Sequence, residues 1–206
     1  MSAAPDATEP RAVIHRREVL SDDWGTLTKY HLAFRRSDGT WQDMTREAYD
    51  RGDGAVVLPH DPARGTVVLT RQFRLPALVT GHDADLIEAC AGLLDARDPE
   101  PAIRREAEEE TGLTLGAVER VGAFYMSPGS VTERLHFFLA PYQGPVASAG
   151  GLGVSAEGED IHVLELPLDD ELAMCPDGRI VDAKTVLLLQ HLALRRMRAA
   201  ATEEAA

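Results

Sequence analysis

Residues 98–113 read DPEPAIRREAEEETGL, and they carry the start and stop signals of a single helix. Asp98 is of a residue type favoured at a helix N-cap, and Pro99 suits the first helical position. Gly112 suits the residue just past a helix end, where a left-handed backbone conformation is common. The sequence therefore predicts a helix over about residues 99–111.

Three glutamates give this predicted helix an acidic face near its C-terminal end. Glu106, Glu109 and Glu110 stand at i, i+3 and i+4, so their carboxylates share one face. Acids in the last turn are disfavoured by roughly 0.3–1 kcal/mol each, and these also repel one another. Arg105 can pair with Glu109 and offset part of the charge. A solvated surface helix is the alternative for such a run taken alone, but we expect a cation here, and oxygen ligands favour Mg²⁺ or Mn²⁺ over zinc.

Length, composition and charge limit the classes of protein that this chain can represent. Its 206 residues are 44% hydrophobic and 27% charged, which fits one globular domain with a small appendage. The formal net charge of −13 repels nucleic-acid phosphates, so we expect no nucleic-acid partner. The apolar runs are too short to span a membrane, and MSAAPDATEP lacks the features of a signal peptide. Two cysteines without a CxxC pair favour a reducing compartment, so we expect a cytoplasmic protein.

Composition and β-propensity divide the chain into four segments. Residues 1–10 and 199–206 are rich in Ala, Pro, Thr and acidic residues, which predicts disordered tails. Residues 11–50 predict a small antiparallel β segment, and residues 51–198 predict a mixed α+β domain with a Gly-rich loop at 149–158. The predicted strands of that domain cover 55–58, 66–73, 86–91, 118–125, 134–139 and 161–166, and a helix is expected over 182–198.

The ordered pattern around the acidic helix resembles the signature of the Nudix hydrolases. It begins at Gly92 and continues as REAEEETGL from Arg105 to Leu113. The interval between Gly92 and Arg105 is one residue shorter than usual in that family, which leaves the helical glutamates in their relative places. Segments from about Leu20 to Leu194, among them REAYDRG, RQFR, YMSPG and KTVLLL, resemble the GDP-mannose pyrophosphatase branch, whose signature is similarly short.

This resemblance implies a fold, an assembly and a reaction. The fold is a Nudix α/β/α sandwich, and the assembly is a homodimer in which the small N-terminal antiparallel β segment is exchanged between subunits. The reaction is Mg²⁺-dependent hydrolysis of GDP-mannose, or of a related nucleotide diphosphate sugar, to GMP and mannose 1-phosphate, with Mn²⁺ as a substitute metal. The implied metal ligands are the main-chain carbonyl of Ala91 and the carboxylates of Glu106, Glu110 and Glu159.

The predicted catalytic set contains three further side chains. Glu109 completes the metal shell or orients its water. Glu133 and Glu159 match family positions and compete for the role of orienting the attacking water, and the sequence does not choose between them. Arg74 follows an apolar strand, and its guanidinium suits bidentate phosphate binding, with an ordinary surface salt bridge as the alternative.

The resemblance also implies a set of substrate-binding residues. Trp24 either stacks on guanine or packs as an ordinary apolar side chain. Arg46 and Glu47 match positions that contact the nucleotide from the partner subunit. Lys184 begins the last helix, where a cation is unfavourable unless it meets an anion. The complete set is Trp24, Arg46, Glu47, Arg74, Ala91, Gly92, Leu93, Glu133, Glu159 and Lys184.

Two other functions stay open from the sequence. An ADP-ribose or other ADP-sugar pyrophosphatase would share the architecture and the chemistry, and would differ in the base pocket around Trp24. A non-catalytic nucleotide-sugar sensor on the same fold would not need an electrostatically costly acidic face, so the retained Glu106, Glu109 and Glu110 argue against it. The physiological substrate and the number of metal ions are also open.

Overall fold

The chain is described here from a computed structural model, which covers residues 10–144, 146, 152–153 and 160–204. Ten strands and four helices follow one another within these residues. The strands are β1 (Ala12–Asp22), β2 (Thr26–Arg35), β3 (Trp41–Asp50), β4 (Gly54–Asp61), β5 (Thr66–Phe73), β6 (Asp85–Glu88), β7 (Cys90–Leu93), β8 (Glu119–Tyr125), β9 (Arg134–Pro141) and β10 (His162–Pro167). The helices are α1 (Leu75–Val79), α2 (Pro99–Thr111), α3 (Leu168–Met174) and α4 (Ala183–Glu204).

Tertiary contacts divide the chain into two units. The N-terminal unit comprises the residues up to Gly52 together with Ser127–Glu133. The main unit comprises Asp53–Met126 and the residues from Arg134 onward. No helix in the described part of the chain is both long and apolar enough to cross a membrane.

The N-terminal unit is a three-stranded antiparallel sheet in the order β1-β2-β3. The β2–β3 pairing is continuous from Thr26 opposite Asp50 to Arg35 opposite Trp41. Every residue of β1 is exposed, and Thr28 is the sole buried residue of the three strands. The sheet therefore forms the predicted antiparallel β segment, but its own residues do not cover its faces.

The main unit is built on a mixed seven-stranded sheet. Its strand order is β10-β5-β4-β9-β8, with β6 paired to β5 and β7 paired to β4. β4 runs parallel to β9, and the other pairs are antiparallel. This unit and the N-terminal sheet together confirm the α+β class.

Helices cover both faces of this sheet, and the central strand β4 shows why. Val56 and Leu58 belong to one apolar cluster with Leu188 of α4. Val57 points to the opposite face and belongs to a second cluster with Ile103 of α2. A strand that is buried on both faces carries a continuous apolar run. The predicted α/β/α sandwich is therefore confirmed, whereas exchange of the N-terminal strands in a dimer stays a prediction.

The helix predicted over residues 99–111 is confirmed as α2, with the same ends. Asp98 occupies the N-cap position, although its side chain makes no capping hydrogen bond. Gly112 ends the helix in the left-handed conformation, with φ of 69°, and its N–H donates to the Glu108 carbonyl at 2.9 Å. A side chain with a Cβ is strained in this conformation, which explains the glycine.

The single strand predicted over residues 86–91 is wrong, because the chain changes neighbours within it. β6 ends at Glu88 after pairing with β5, and β7 begins at Cys90 to pair with β4. The backbone N–H of Ala89, between them, donates to the Thr185 hydroxyl at 2.7 Å. A side chain far along the sequence thus takes the place of a strand partner at this break.

The disordered tail predicted from residue 199 is wrong for residues 199–204, which continue α4 to Glu204. The run of three alanines there has the highest intrinsic helix propensity, and this outweighs the tail-like composition. The short helices α1 and α3 are additional, since neither is long enough to show a helical period. Residues 1–9 and most of the loop predicted at 149–158 lie outside the described residues.

Candidate active site

The acidic face of α2 is present as the sequence predicts. The side chain of Glu110 is buried, that of Glu106 is half-buried, and that of Glu109 is exposed. Arg105 donates from Nη2 to Glu106 Oε1 at 2.9 Å, and its Nε lies 3.8 Å from Glu109 Oε1. The hydrogen bond to Glu106 raises the pKa of Arg105. Arg105 thus pairs with two of the three glutamates, and these four residues together carry a formal charge of −2.

Gly92 allows strand β7 and helix α2 to approach each other at this face. A Cβ atom at Gly92 would lie 2.7 Å from Glu106 Oε2 and closer still to the carboxyl carbon. No side chain can occupy that space while Glu106 keeps its position. Ala91 precedes Gly92 in β7 and pairs with Val56 of β4, so the predicted carbonyl ligand is held in the main sheet. Leu93 ends the same strand.

The predicted metal ligands form an all-oxygen donor set. Ala91, Glu106 and Glu110 lie on two adjoining elements of the main unit, β7 and α2, whereas Glu159 lies outside the described residues. Across residues 10–144, 146, 152–153 and 160–204, no three Asp, Glu, His or Cys side chains converge closely enough to hold a metal ion. Carboxylate and carbonyl oxygens on a face with surplus negative charge fit a hard divalent cation.

Arg74 and Lys184, which the sequence predicts separately, converge on one buried carboxylate. Arg74 donates from Nε to Glu88 Oε1 at 2.7 Å and from Nη2 to Glu88 Oε2 at 3.1 Å. Lys184 donates from Nζ to Glu88 Oε2 at 2.5 Å and to Asp182 Oδ1 at 2.9 Å. Glu88 is only 2% exposed. We call Arg74, Glu88, Asp182 and Lys184 the ion cluster.

Sequence reasoning missed Glu88, although a signal was present. Glu88 is an acid inside the apolar run LIEACA, and an acid in a buried strand is rarely left unpaired. The missing information was the identity of the cations: Arg74 lies 14 residues before Glu88, and Lys184 lies 96 residues after it. The surface salt bridge considered for Arg74 therefore proves to be a bidentate pair with a buried acid.

Opposite charges outweigh burial throughout the ion cluster. Burial acts to raise the pKa of Glu88, but the charge of Lys184 and the hydrogen bonds and charge of Arg74 lower it overall. Burial acts to lower the pKa of Lys184, but Glu88 and Asp182 raise it overall. The pKa of Arg74 is raised against its burial by Glu88 first, and then by the charges of Glu110 and Asp182. Arg74, Glu88 and Lys184 are therefore all charged at neutral pH, and the charge of Glu110 on the acidic face also acts on Arg74.

The predicted nucleotide-binding residues of the N-terminal unit lie on its surface. Trp24 occupies the β1–β2 turn and is 71% exposed, with the Arg51 guanidinium 4.5 Å from the ring centroid. Trp24 is therefore not a core residue of this chain. Arg46 and Glu47 are neighbours in β3, so they point to opposite faces of the sheet, and Glu47 lies 3.6 Å from Lys29.

One of the two acids that compete to orient water lies in the described part of the chain. Glu133 ends the segment Ser127–Glu133, which joins the N-terminal sheet through Tyr49. Tyr49 donates its N–H to the Ser130 carbonyl at 2.9 Å and accepts one from the Thr132 N–H at 3.0 Å. Glu133 is half-buried. Because Glu159 lies outside the described residues, the choice between the two acids stays open.

Comparisons with known proteins assign the chain to one family. The family model described as "GDP-mannose pyrophosphatase NudK N-terminal domain" matches residues 11–49, and the NUDIX domain model matches residues 50–201. The chain is 52% identical over 183 residues to a protein named GDP-mannose pyrophosphatase from Pectobacterium atrosepticum, covering 88% of this chain and 94% of that one. A protein of the same name from Yersinia pestis is 49% identical over 175 residues, covering 84% and 87%.

A solved structure agrees with the fold. The crystal structure described as an ADP compounds hydrolase superposes with a TM-score of 0.72, covering 94% of this chain and 98% of that chain. At 18% identity, this likeness shows the fold alone. The chain therefore belongs to the Nudix hydrolase family, in the branch whose members are named GDP-mannose pyrophosphatases. The predicted resemblance is confirmed.

Proposed function

We propose that this enzyme hydrolyses the pyrophosphate bond of GDP-mannose, with Mg²⁺ as the metal, to give GMP and mannose 1-phosphate. The observation that carries the proposal is that the main unit holds both the acidic face on α2 and the ion cluster around Glu88, with the charge of Glu110 acting on Arg74. The names of the relatives at about half identity support the choice of substrate.

The two groups of charges suit a metal-bound diphosphate. A diphosphate brings negative charge to a protein whose formal net charge is −13, so cations must mediate binding. Arg74 is 38% exposed and would bind a phosphate oxygen, with Lys184 adding charge behind it. The metal, held by the Ala91 carbonyl, Glu106, Glu110 and Glu159, would polarise the pyrophosphate and lower the pKa of a water molecule.

The remaining carboxylates would manage the attacking water. Glu109 would complete the metal shell or orient that water, and Glu133 or Glu159 would hold the water in line with the scissile bond. Attack on phosphorus forms one P–O bond and breaks the bridging P–O bond, so that one phosphate leaves with each product. The acids position the nucleophile and accept its proton, while Arg74 compensates charge on the phosphoryl group.

We further propose that the enzyme is a homodimer in which residues 11–50 serve dimerisation and nucleotide contact, and residues 51–198 serve catalysis. The support is the exposed apolar surface of β1 and its neighbours. Its members are Val13, Ile14, Val19, Leu20 and Trp41. A second copy of the chain would cover apolar residues of this sheet, and the proposed nucleotide contacts of Trp24, Arg46 and Glu47 would form in the assembly.

The proposed compartment is the cytoplasm. Neither Cys90 nor Cys175 forms a disulfide bond within the described part of the chain, and Cys90 is buried in the main sheet. Intracellular proteins ordinarily keep such thiols reduced.

Product analysis tests the proposed reaction. GDP-mannose and ADP-ribose are offered separately at equal low concentrations with Mg²⁺, and the products are separated and identified. Dominant release of GMP and mannose 1-phosphate supports the proposal. Dominant cleavage of ADP-ribose would keep the metal chemistry and overturn the assignment of the base. Binding of GDP-mannose without turnover would instead indicate a nucleotide-sugar sensor.

A further inference from the structure

Glu88 is buried, yet it holds two of the proposed substrate-binding cations. The side chains of Arg74, Lys184 and Glu88 are 38%, 13% and 3% exposed respectively. Exposure thus decreases from the arginine inward to the glutamate. The carboxylate takes the Nε and Nη2 donors of Arg74, and the guanidinium remains accessible from its outer side.

The backbone around Glu88 is fixed from two directions. Its carbonyl accepts a hydrogen bond from Thr70 Oγ1 of β5 at 3.2 Å. The N–H of the next residue, Ala89, donates to Thr185 Oγ1 of α4 at 2.7 Å. The break between β6 and β7 therefore anchors Glu88 to both the strand that precedes Arg74 and the helix that carries Lys184.

Asp182 fixes the helix end that carries Lys184. Thr185 donates its N–H to Asp182 Oδ2 at 3.0 Å and its hydroxyl to the same oxygen at 2.5 Å, as at a capped helix N-terminus. Lys184 donates to the other oxygen of Asp182. Each carboxylate oxygen of the ion cluster thus accepts at least one hydrogen bond, which is the condition under which buried charges keep a single arrangement.

We infer that Glu88 is a positioning residue for the proposed reaction: it orients Arg74, with Lys184 behind it, to receive a phosphate group before the substrate binds. The two hydrogen bonds that Arg74 donates to Glu88 hold its guanidinium in one orientation, while the charge of Glu110 also acts on it. A pre-oriented guanidinium loses less freedom on binding phosphate, and the proposed benefit appears chiefly in substrate affinity. This inference rests on the proposed function.

The test compares Glu88→Gln and Glu88→Asp with the wild-type enzyme. Glu88→Gln keeps the size and removes the charge, whereas Glu88→Asp keeps the charge and shortens the reach. We expect the KM for GDP-mannose to rise at least tenfold in both variants, with a smaller change in kcat. Glu88→Asp keeps the charge balance of the buried cluster, so it serves as the folded variant if Glu88→Gln does not fold. An unchanged KM in folded Glu88→Asp would overturn the inference.

A double variant tests whether Glu88 acts by positioning Arg74 or only by stabilising the fold. If Glu88 acts through Arg74, then Arg74→Gln combined with Glu88→Gln should lose no more kcat/KM than Arg74→Gln alone. Multiplied losses would contradict the inference. Glu165→Gln is the matched control, because Glu165 is also an ion-paired acid of the main unit, bonded to Arg64 and to the Tyr142 hydroxyl at 2.6 Å. It should keep kcat/KM within about twofold.

A binding measurement distinguishes failure of this inference from failure of the proposed function. Calorimetry with inorganic pyrophosphate and Mg²⁺ should show at least tenfold weaker binding to Glu88→Asp than to wild type. A wild-type enzyme that binds pyrophosphate but does not hydrolyse GDP-mannose would overturn the proposed function and leave this comparison valid. Equal binding of pyrophosphate by both proteins would overturn the role of Glu88, as would the absence of binding to wild type.

Discussion

The two units of this protein hold their charged side chains in opposite ways. In the main unit, Glu88 is buried and accepts hydrogen bonds from Arg74 and Lys184 at 2.5 to 3.1 Å. In the N-terminal unit, Glu47 is exposed on β3 and lies 3.6 Å from Lys29. A buried and fully hydrogen-bonded pair keeps one geometry, whereas an exposed pair is screened by water. Arg74 and Lys184 are therefore held in one geometry within the main unit, whereas the Lys29–Glu47 pair is open to water.

The apolar residues of the two units also differ, since those of β4 are buried in the main unit and those of β1 are exposed in the N-terminal unit. The central strand β4 is buried on both faces, so its pairing and its side chains are ordered within one chain. Every residue of β1 is exposed, including Ile14 and Val19. A three-stranded sheet with uncovered apolar residues gains stability when another surface covers it. The acidic face and the ion cluster thus lie in the main unit, whereas Glu133 and the proposed nucleotide contacts lie in the N-terminal unit, where the proposed contacts would depend on assembly.

Removing one carboxylate charge from the acidic face should have the largest effect on the main unit. We expect Glu106→Gln or Glu110→Gln to lower kcat for GDP-mannose by at least about a hundredfold, because the proposed metal loses a charged ligand. Steady-state kinetics with Mg²⁺ measures this loss, and circular dichroism checks the fold. Glu108→Gln, on the exposed side of α2, is the control and should retain activity. Near-normal turnover and metal affinity in Glu106→Gln would contradict the assignment of the face.

Displacing the same face without removing a charge should have the next largest effect. We expect Gly92→Ala to lower kcat by about tenfold to a hundredfold, because the added methyl group would displace the Glu106 carboxyl. Steady-state kinetics test whether the loss comes from displacing Glu106. They compare Gly92→Ala and Glu106→Gln with the double variant that combines them. The double variant should be no slower than Glu106→Gln. A multiplied loss would mean that Gly92 acts through something other than Glu106.

A charge placed on the exposed N-terminal sheet should disrupt the proposed dimer and leave the main unit folded. We expect Val19→Asp to convert the dimer to a monomer, because it puts a carboxylate on a surface that the proposed partner covers. Light scattering should show the mass halved, and the KM for GDP-mannose should rise. Met197→Asp, at an exposed methionine of α4, should leave the mass unchanged. A fully active wild-type monomer would refute the proposed dimer.

The smallest effect concerns a buried acid of the main unit that lacks the counter-charges of Glu88. Glu171 in α3 is buried, and neither carboxyl oxygen has a hydrogen-bond partner within the described residues. Burial, helped by the charge of Asp170, raises the pKa of Glu171 to about 9. The folded state therefore keeps a proton that the unfolded state releases above its ordinary pKa of about 4.5.

The free energy of unfolding should consequently fall as the pH rises between about 5 and 9. Glu171 alone should lower it by about 1.4 kcal/mol per pH unit. We expect Glu171→Met to remove that slope and to raise the free energy of unfolding on the order of 3 kcal/mol at pH 7. Urea unfolding of both proteins across this pH range measures the difference. If wild type and Glu171→Met showed the same pH dependence of unfolding, the raised pKa of Glu171 would be contradicted.

Local patterns in the sequence were enough to predict the helix of the acidic face. The ends of α2 depend on Pro99 and Gly112, and the shared face of Glu106, Glu109 and Glu110 depends on helical spacing alone. That both faces of the main sheet are covered was also predictable, because a continuous apolar run indicates a strand that is buried on both sides. The helical end of α4 was missed because its composition was given more weight than the propensity of alanine.

Caps, periodicity and motif order act between residues close in the chain, so the class of fold, the acidic face and the family were predictable from the sequence. The folded structure was needed to show that residues 86–91 form two strands and that Arg74 and Lys184 meet at Glu88. It also decided that Trp24 lies on the surface of the N-terminal unit. The physical reason is that ion pairing, strand pairing and burial depend on residues distant in sequence, whose approach follows from the packing of whole elements.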